Sequence, residues 1–136
     1  MRAGEPHWES KATVLIADDQ ENMRTTLARV LSLEGYTYLL AASGRSALEM
    51  LEQRRIDLAL LDINMPGMDG IAVVERIKAN PALADLPIIM LTGQMDSSSV
   101  LRCKVLGVND YLVKPYKISV LLQRIESALQ GRSKPA

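Results

Sequence analysis

This sequence of 136 residues lacks several features that would place it in other classes of protein. It has one cysteine, Cys103, so no disulfide can form within the chain, which fits a reducing compartment. No apolar run approaches the roughly 20 residues that span a bilayer, and the polar residues 1–11 contain no apolar signal region. We therefore expect a cytoplasmic protein that does not contact a membrane.

The chain also lacks an excess of charge of either sign, because 16 basic residues balance 16 acidic ones. A net charge near zero provides no electrostatic attraction for nucleic acid or anionic lipid, so we expect no direct contact with nucleic acid. A hydrophobic fraction of 48% and a charged fraction of 24% are typical of a globular protein. The length is that of a single domain, and the sequence contains no internal repeat or low-complexity linker.

Short apolar runs alternate with amphipathic segments along the chain. The predicted strands cover residues 13–17, 36–42, 56–61, 87–91 and 111–113. The predicted helices carry their apolar faces within residues 23–34, 47–51, 71–77, 97–106 and 118–129. Ser43, Asp69 and Asp96 are suited to cap the second, third and fourth helices. This alternation predicts an α/β fold with a parallel sheet covered on both faces.

Polar residues follow four of the five predicted strands. They are Asp18 and Asp19 after the first strand, Asp62 after the third, Thr92 after the fourth and Lys114 after the fifth. Open α/β sheets bind ligands at the carboxyl ends of their strands, so these side chains are expected to converge. Each residue also has a simpler structural role. Asp62 can be a strand-end cap, and Asp18 and Asp19 can stabilise a helix N-terminus. Lys114 can be an ordinary surface lysine, and Thr92 can belong to a turn that ends its strand.

Carboxylates crowded at one sheet edge repel one another unless a cation or a proton intervenes. A hard cation such as Mg²⁺ takes oxygen ligands, typically one or two carboxylates and several waters. Lys114 would pair with Asp62 and could later neutralise a phosphoryl group, and Thr92 could donate a hydrogen bond to it. The joint pattern favours a metal-dependent phosphoryl site.

The sequence resembles the receiver domain of two-component response regulators over nearly all of residues 13–130. The motifs that carry the resemblance are Leu-Ile-Ala-Asp18-Asp19, Leu-Leu-Asp62-Ile-Asn64-Met-Pro66, Met-Leu-Thr92-Gly93 and Asp110-Tyr111-Leu-Val-Lys114-Pro115-Tyr116. It implies a flavodoxin-like (βα)5 fold with strand order 2-1-3-4-5. The receiver domain would cover residues 12–130, between an N-terminal extension of residues 1–11 and a C-terminal tail of residues 131–136.

The resemblance implies that Asp62 accepts a phosphoryl group from a phosphohistidine on a sensor histidine kinase or a histidine phosphotransfer protein. Asp19, Asp62 and the backbone carbonyl of Asn64 would ligate Mg²⁺, and Asp18 would act mostly through water. Lys114 would contact the phosphoryl oxygens. The domain would not be an enzyme with a separate substrate, although self-catalysed phosphorylation and dephosphorylation are compatible with this chemistry.

Further roles follow from the same resemblance. The Lys114-Pro115 peptide bond would be cis and would aim the lysine into the site. Thr92, which would also contact the phosphoryl group, and Tyr111 would act as switch residues, with a packed edge aromatic as the simpler interpretation of Tyr111. The amides of Asn64 and Gln94 would tune hydrolysis of the phosphoryl group.

The expected output is phosphorylation-dependent binding of a downstream protein through the face formed by helix four, strand five and helix five. Two alternatives remain within the family: a pseudo-receiver that binds partners constitutively, and a receiver segment of a larger regulator or hybrid kinase. A phosphatase or nucleotide binder is disfavoured, because Asp62 is followed by Ile63-Asn64 and not by an Asp-x-Asp motif, and the chain has no Gly-x-x-x-x-Gly-Lys loop.

Overall fold

The computed structural model describes residues 10–93 and 97–132, and five strands alternate with five helices in this part of the chain. The strands are β1 (Thr13–Ala17), β2 (Thr37–Ala41), β3 (Leu58–Asp62), β4 (Ile88–Thr92) and β5 (Asp110–Val113). The helices are α1 (Glu21–Leu33), α2 (Gly44–Gln53), α3 (Gly70–Ala79), α4 (Ser97–Leu106) and α5 (Ile118–Arg132).

All four strand pairings are parallel, and the strand order is β2-β1-β3-β4-β5. This confirms the predicted flavodoxin-like order. β3 is the central strand, and every residue of β3 is buried, because helices cover both faces of the sheet. A continuous apolar run is the sequence pattern expected for such a strand.

Two hydrophobic clusters fill the spaces on either side of the sheet. The first, here the α2–α4 cluster, packs Ala47 and Leu51 of α2, Val74 of α3 and Cys103 of α4 against one face. The second, the α1–α5 cluster, packs side chains of α1 and α5 against the other face, among them Leu27, Leu31, Leu121 and Ile125. Burial of these side chains supplies the main stabilising free energy of the fold.

Local sequence signals set several helix ends. Ser43 accepts a hydrogen bond from the Ser46 amide, and Asp69 accepts one from the Ala72 amide, so two of the predicted caps are confirmed. Gly107 follows α4 with φ +82°, a left-handed conformation that glycine adopts without steric cost. The third predicted cap, Asp96, lies outside the described residues.

The boundaries differ from the predicted ones by one or two residues at several points. β3 begins at Leu58 and not at residue 56, and it includes Asp62 as its last residue. α5 continues to Arg132, through the first two residues of the predicted C-terminal tail. Both shifts arise because backbone hydrogen bonding, and not the apolar pattern alone, defines an element's end. No helix within residues 10–93 and 97–132 is long and apolar enough to cross a membrane.

Candidate functional site

The carboxyl ends of β1 and β3 bring three carboxylates together. Asp18, Asp19 and Asp62 each offer an oxygen within 4.8 Å of the others. Asp18 is 1% exposed and Asp62 is 5% exposed, whereas Asp19 is exposed. The predicted convergence of these residues is therefore present, and it combines two buried carboxylates with one that faces solvent.

The ammonium group of Lys114 lies between the two buried carboxylates. Its Nζ is 3.2 Å from Asp18 Oδ2, to which it donates a hydrogen bond, and 3.6 Å from Asp62 Oδ2. The expected pair with Asp62 is present, but the shorter contact is with Asp18. The Lys114 side chain is 22% exposed, so this ammonium is partly desolvated and interacts more strongly than a surface lysine does.

Backbone donors hold the acidic side chains in place. The Gln20 amide donates to Asp18 Oδ1 at 2.9 Å, and the Asn64 amide donates to Asp62 Oδ1 at 3.1 Å. Arg24 donates through its guanidinium to the backbone carbonyl of Asp18 at 2.8 Å. The residue before α1 and the loop after β3 thus each supply an amide that orients one of the buried carboxylates.

Gly70 allows α3 to begin directly against the end of β3. A Cβ at this position would contact the Asp62 carbonyl oxygen and would lie 2.9 Å from Ile63 Cα. Both neighbours are backbone, so neither can move without shifting the strand end. The Gly70 amide donates to the Ile63 carbonyl at 2.9 Å, which closes the loop that carries Asn64.

The remaining predicted site residues lie at or near the same edge. Thr92 is fully buried as the last residue of β4, and its carbonyl accepts a hydrogen bond from the Lys114 amide at 2.6 Å. The Lys114-Pro115 peptide bond is cis, as the resemblance implied. Tyr111 on β5 is partly buried against the α2–α4 cluster. Gln94, a predicted hydrolysis-tuning residue, lies outside the described residues.

Burial raises the pKa of the Asp62 carboxyl above its ordinary value. The Asn64 amide and the Lys114 ammonium favour the ionised form, and the negative charges of Asp18 and Asp19 oppose it. Taken together, these effects raise the free energy of the ionised Asp62 carboxylate. Further positive charge at this edge would therefore stabilise the site.

A hard divalent cation fits this set of donors. Three carboxylates face one nearby ammonium, which leaves the cluster with excess negative charge, and all three offer the oxygen ligands that Mg²⁺ prefers. The exposed Asp19 leaves one side open to solvent, where a cation could keep bound water. Receiver domains bind Mg²⁺ in general, and this cluster could hold such an ion.

Two residues near the site had no role assigned from sequence. Arg24 sits in the first turn of α1, where a basic residue is ordinary on an exposed helix face, so no local signal marks it. Tyr116 carries a buried hydroxyl, and burial, followed by the negative charges of Asp18 and Asp62, raises its pKa. In the sequence, the one feature that marked Tyr116 was its position directly after Lys114-Pro115.

Comparison with known proteins agrees with this geometry. Residues 14–126 match the family described as the response regulator receiver domain. The probable transcriptional regulator ycf27 of Guillardia theta is 38% identical over 128 residues, which cover 94% of this chain and 49% of that protein. The chain therefore spans about half the length of this curated relative.

Solved structures with the same fold also match. The receiver domain of a signal transduction histidine kinase from Syntrophus aciditrophicus is 32% identical, with a TM-score of 0.85, over 92% of this chain and 95% of that one. Chemotaxis protein CheY4 of Vibrio cholerae is also 32% identical, with a TM-score of 0.82, over 87% of this chain and 98% of that one. The predicted family is confirmed: this chain belongs to the response regulator receiver domain family.

Proposed function

We propose that this receiver domain accepts a phosphoryl group on Asp62 from a phosphohistidine of a histidine kinase or a histidine phosphotransfer protein. The observation that carries the proposal is the position of Asp62 at the end of the central strand, beside Lys114 and two further carboxylates. Domains of this family act in signalling by phosphotransfer. No other described group of three or more acidic, histidine or cysteine side chains has this spacing.

The transfer is a displacement at phosphorus. An Asp62 carboxylate oxygen bonds to the phosphorus atom as the bond between phosphorus and the histidine nitrogen breaks. The departing imidazole keeps the electron pair and takes a proton from solvent. Such reactions depend mainly on positioning and charge stabilisation, which the fixed Asp62 carboxylate and the adjacent Lys114 ammonium provide.

The residues that would hold Mg²⁺ are Asp19, Asp62 and the carbonyl of Asn64, with Asp18 acting mostly through water. When bound, the ion supplies positive charge that offsets the negative charge of the phosphoryl oxygens. Lys114 contributes a second positive charge, and the Thr92 hydroxyl donates to a phosphoryl oxygen. Asn64 and Gln94 orient or obstruct the water that later hydrolyses the acyl phosphate.

The acceptor assignment is tested by labelling with acetyl phosphate in the presence of Mg²⁺. We expect one phosphoryl group per wild-type chain by intact mass and none on Asp62→Asn. Asp85→Asn is the matched control, since it makes the same change of charge at an exposed residue before β4, and we expect it to be labelled like the wild type. Stoichiometric labelling of Asp62→Asn would contradict the assignment.

We further propose that the phosphorylated domain binds a downstream protein through the face formed by α4, β5 and α5. This face presents apolar side chains to solvent, among them Leu101 at 62% exposed, Val105 at 78% and Val113 at 46%. Thr92 lies at the end of β4 and Tyr111 lies on the neighbouring edge strand β5. A shift of Thr92 towards the phosphoryl group would let Tyr111 turn further inwards and change this face.

The output proposal is tested by comparing the resting form with the form activated by beryllofluoride and Mg²⁺ in a pull-down. We expect a partner that only the activated form retains. Val105→Glu should lose that partner while Asp62 is still labelled. Leu33→Glu on α1 is the matched control, because Leu33 is 81% exposed but does not lie on this face. Equal retention by Val105→Glu would place the interface elsewhere.

A further inference from the structure

The hydroxyl of Tyr116 is buried without a hydrogen-bonding partner. Within residues 10–93 and 97–132, it is the one buried side-chain nitrogen or oxygen atom in this condition. A buried hydroxyl that makes no hydrogen bond costs free energy, and such groups are rare in folded proteins. The hydroxyl therefore costs the resting domain stability, and a state that gives it a partner would recover that cost.

Tyr116 and Lys114 line the same cleft, and Lys114 is the residue that pairs with both buried carboxylates. Burial, followed by the negative charges of Asp18 and Asp62, raises the pKa of Tyr116 to about 12. The phenol is therefore protonated at neutral pH and has a hydrogen to donate. The charges near enough to act on it belong to the two buried carboxylates of the site.

Asp18 depends on two donors in the resting domain. Its Oδ1 accepts from the Gln20 amide, and its Oδ2 accepts from Lys114 Nζ at 3.2 Å. The same ammonium lies 3.6 Å from Asp62 Oδ2, so a small movement changes its partner. A phosphoryl group bonded to Asp62 would add negative charge there and would attract the ammonium away from Asp18.

Loss of Lys114 would leave Asp18 Oδ2 short of a donor. The Asp18 side chain is 2% exposed, so bulk water cannot replace the ammonium. A buried carboxylate oxygen that loses its donor is strongly destabilising. A second donor from the chain, beside any water held by Mg²⁺, would keep Asp18 Oδ2 paired when Lys114 turns to the phosphoryl group.

We propose that Tyr116 is a positioning residue whose hydroxyl donates to Asp18 Oδ2 when Lys114 turns to a phosphoryl group on Asp62. This inference rests on the proposed phosphorylation of Asp62. The ring lines a cleft of about 380 Å³ together with Met23 and Leu27 of α1 and Ile118 of α5, which leaves room for it to adjust. Replacement of Lys114 by Tyr116 as the donor keeps Asp18 Oδ2 paired in both states. It thereby lowers the free energy of the phosphorylated domain.

The test is Tyr116→Phe, which removes only the hydroxyl. We expect beryllofluoride, with Mg²⁺, to bind this variant about tenfold more weakly than the wild type, because a hydrogen bond to a charged group is lost in the loaded state alone. The melting temperature of the resting variant should be equal to or higher than that of the wild type. Tyr38→Phe is the matched control, since Tyr38 is a half-buried tyrosine packed against the same α1–α5 cluster.

A second measurement uses the wild-type protein. The chain has four tyrosines, so protein labelled with ¹³C at the tyrosine hydroxyl-bearing carbon gives few signals, and Tyr116→Phe identifies the one from Tyr116. We expect this signal to move on addition of beryllofluoride and Mg²⁺.

The outcomes separate this inference from the proposed function. If the wild type is labelled on Asp62 but Tyr116→Phe binds beryllofluoride with wild-type affinity, Tyr116 has no positioning role and the phosphoacceptor assignment stands. A Tyr116 signal that does not move on activation gives the same result. If the wild type neither binds beryllofluoride nor accepts a phosphoryl group, the proposed function is wrong and this inference fails with it.

Discussion

Lys114 donates its closest side-chain hydrogen bond to Asp18, at 3.2 Å, although Asp62 is the proposed phosphoacceptor. The ammonium is therefore shared between a residue that is expected to stay unmodified and one that is expected to change covalently. This sharing makes the resting site sensitive to any added charge at Asp62, because the same ammonium serves both carboxylates.

Removal of the shared ammonium should destabilise the resting domain. Lys114→Met leaves two buried carboxylates without a positive partner, and we expect the free energy of unfolding to fall by about 2 kcal/mol in the absence of Mg²⁺. Urea unfolding measures this change. Lys117→Met is the control, since Lys117 is an exposed lysine three residues along the chain, and a similar loss there would show that the effect is not specific to the site.

Neutralisation of Asp62 should have the opposite effect on stability. Because burial raises the pKa of this carboxyl, the folded state holds the proton more tightly than the unfolded state, and the ionised form is destabilising at neutral pH. We expect Asp62→Asn to melt about 3 °C higher than the wild type at pH 7 without Mg²⁺. This difference should shrink as the pH falls towards about 4 and Asp62 becomes protonated. A difference in melting temperature that does not change with pH would show that ionisation of Asp62 is not its cause.

Mg²⁺ should stabilise the domain through the exposed carboxylate as well as the buried ones. At about ten times the dissociation constant, a ligand that binds only the folded state adds about 1.4 kcal/mol. We expect wild-type protein and the Asp85→Asn control to show this increase in thermal unfolding. Asp19→Asn should lose most of it, because Asp19 is one of the three clustered carboxylates. Equal stabilisation of Asp19→Asn would exclude it as a ligand.

The start of α3 should not tolerate a side chain at position 70. Gly70→Ala would place a Cβ against the Asp62 carbonyl and 2.9 Å from Ile63 Cα, so we expect a loss of about 3 kcal/mol in the free energy of unfolding and weaker binding of Mg²⁺. Gly131→Ala has no neighbour within 4 Å and should be neutral or slightly stabilising. Denaturant unfolding and calorimetric titration with Mg²⁺ measure the two effects.

The order of elements and the identity of the acidic edge could be predicted from sequence, because both depend on local pattern. The apolar run of β1 and the residues that flank α4, with Gly107 as its stop, predict those elements at their observed bounds. The strand order itself came from the resemblance to a known family. Periodicity assigns elements and their buried faces, but it carries no information on which strands are neighbours.

The sequence alone determined which residues stand at the strand ends, because the apolar runs end at Asp18, Asp62 and Lys114. A parallel sheet then brings such residues to one edge. Only the tertiary structure decided how they pair. It buries Asp18, whose carboxylate accepts from the Gln20 amide and from Lys114, and it leaves Asp19 exposed. It joins Lys114 to Asp18, 96 positions apart, and it encloses the Tyr116 hydroxyl. Such choices depend on distances through space, which no local pattern in the chain encodes.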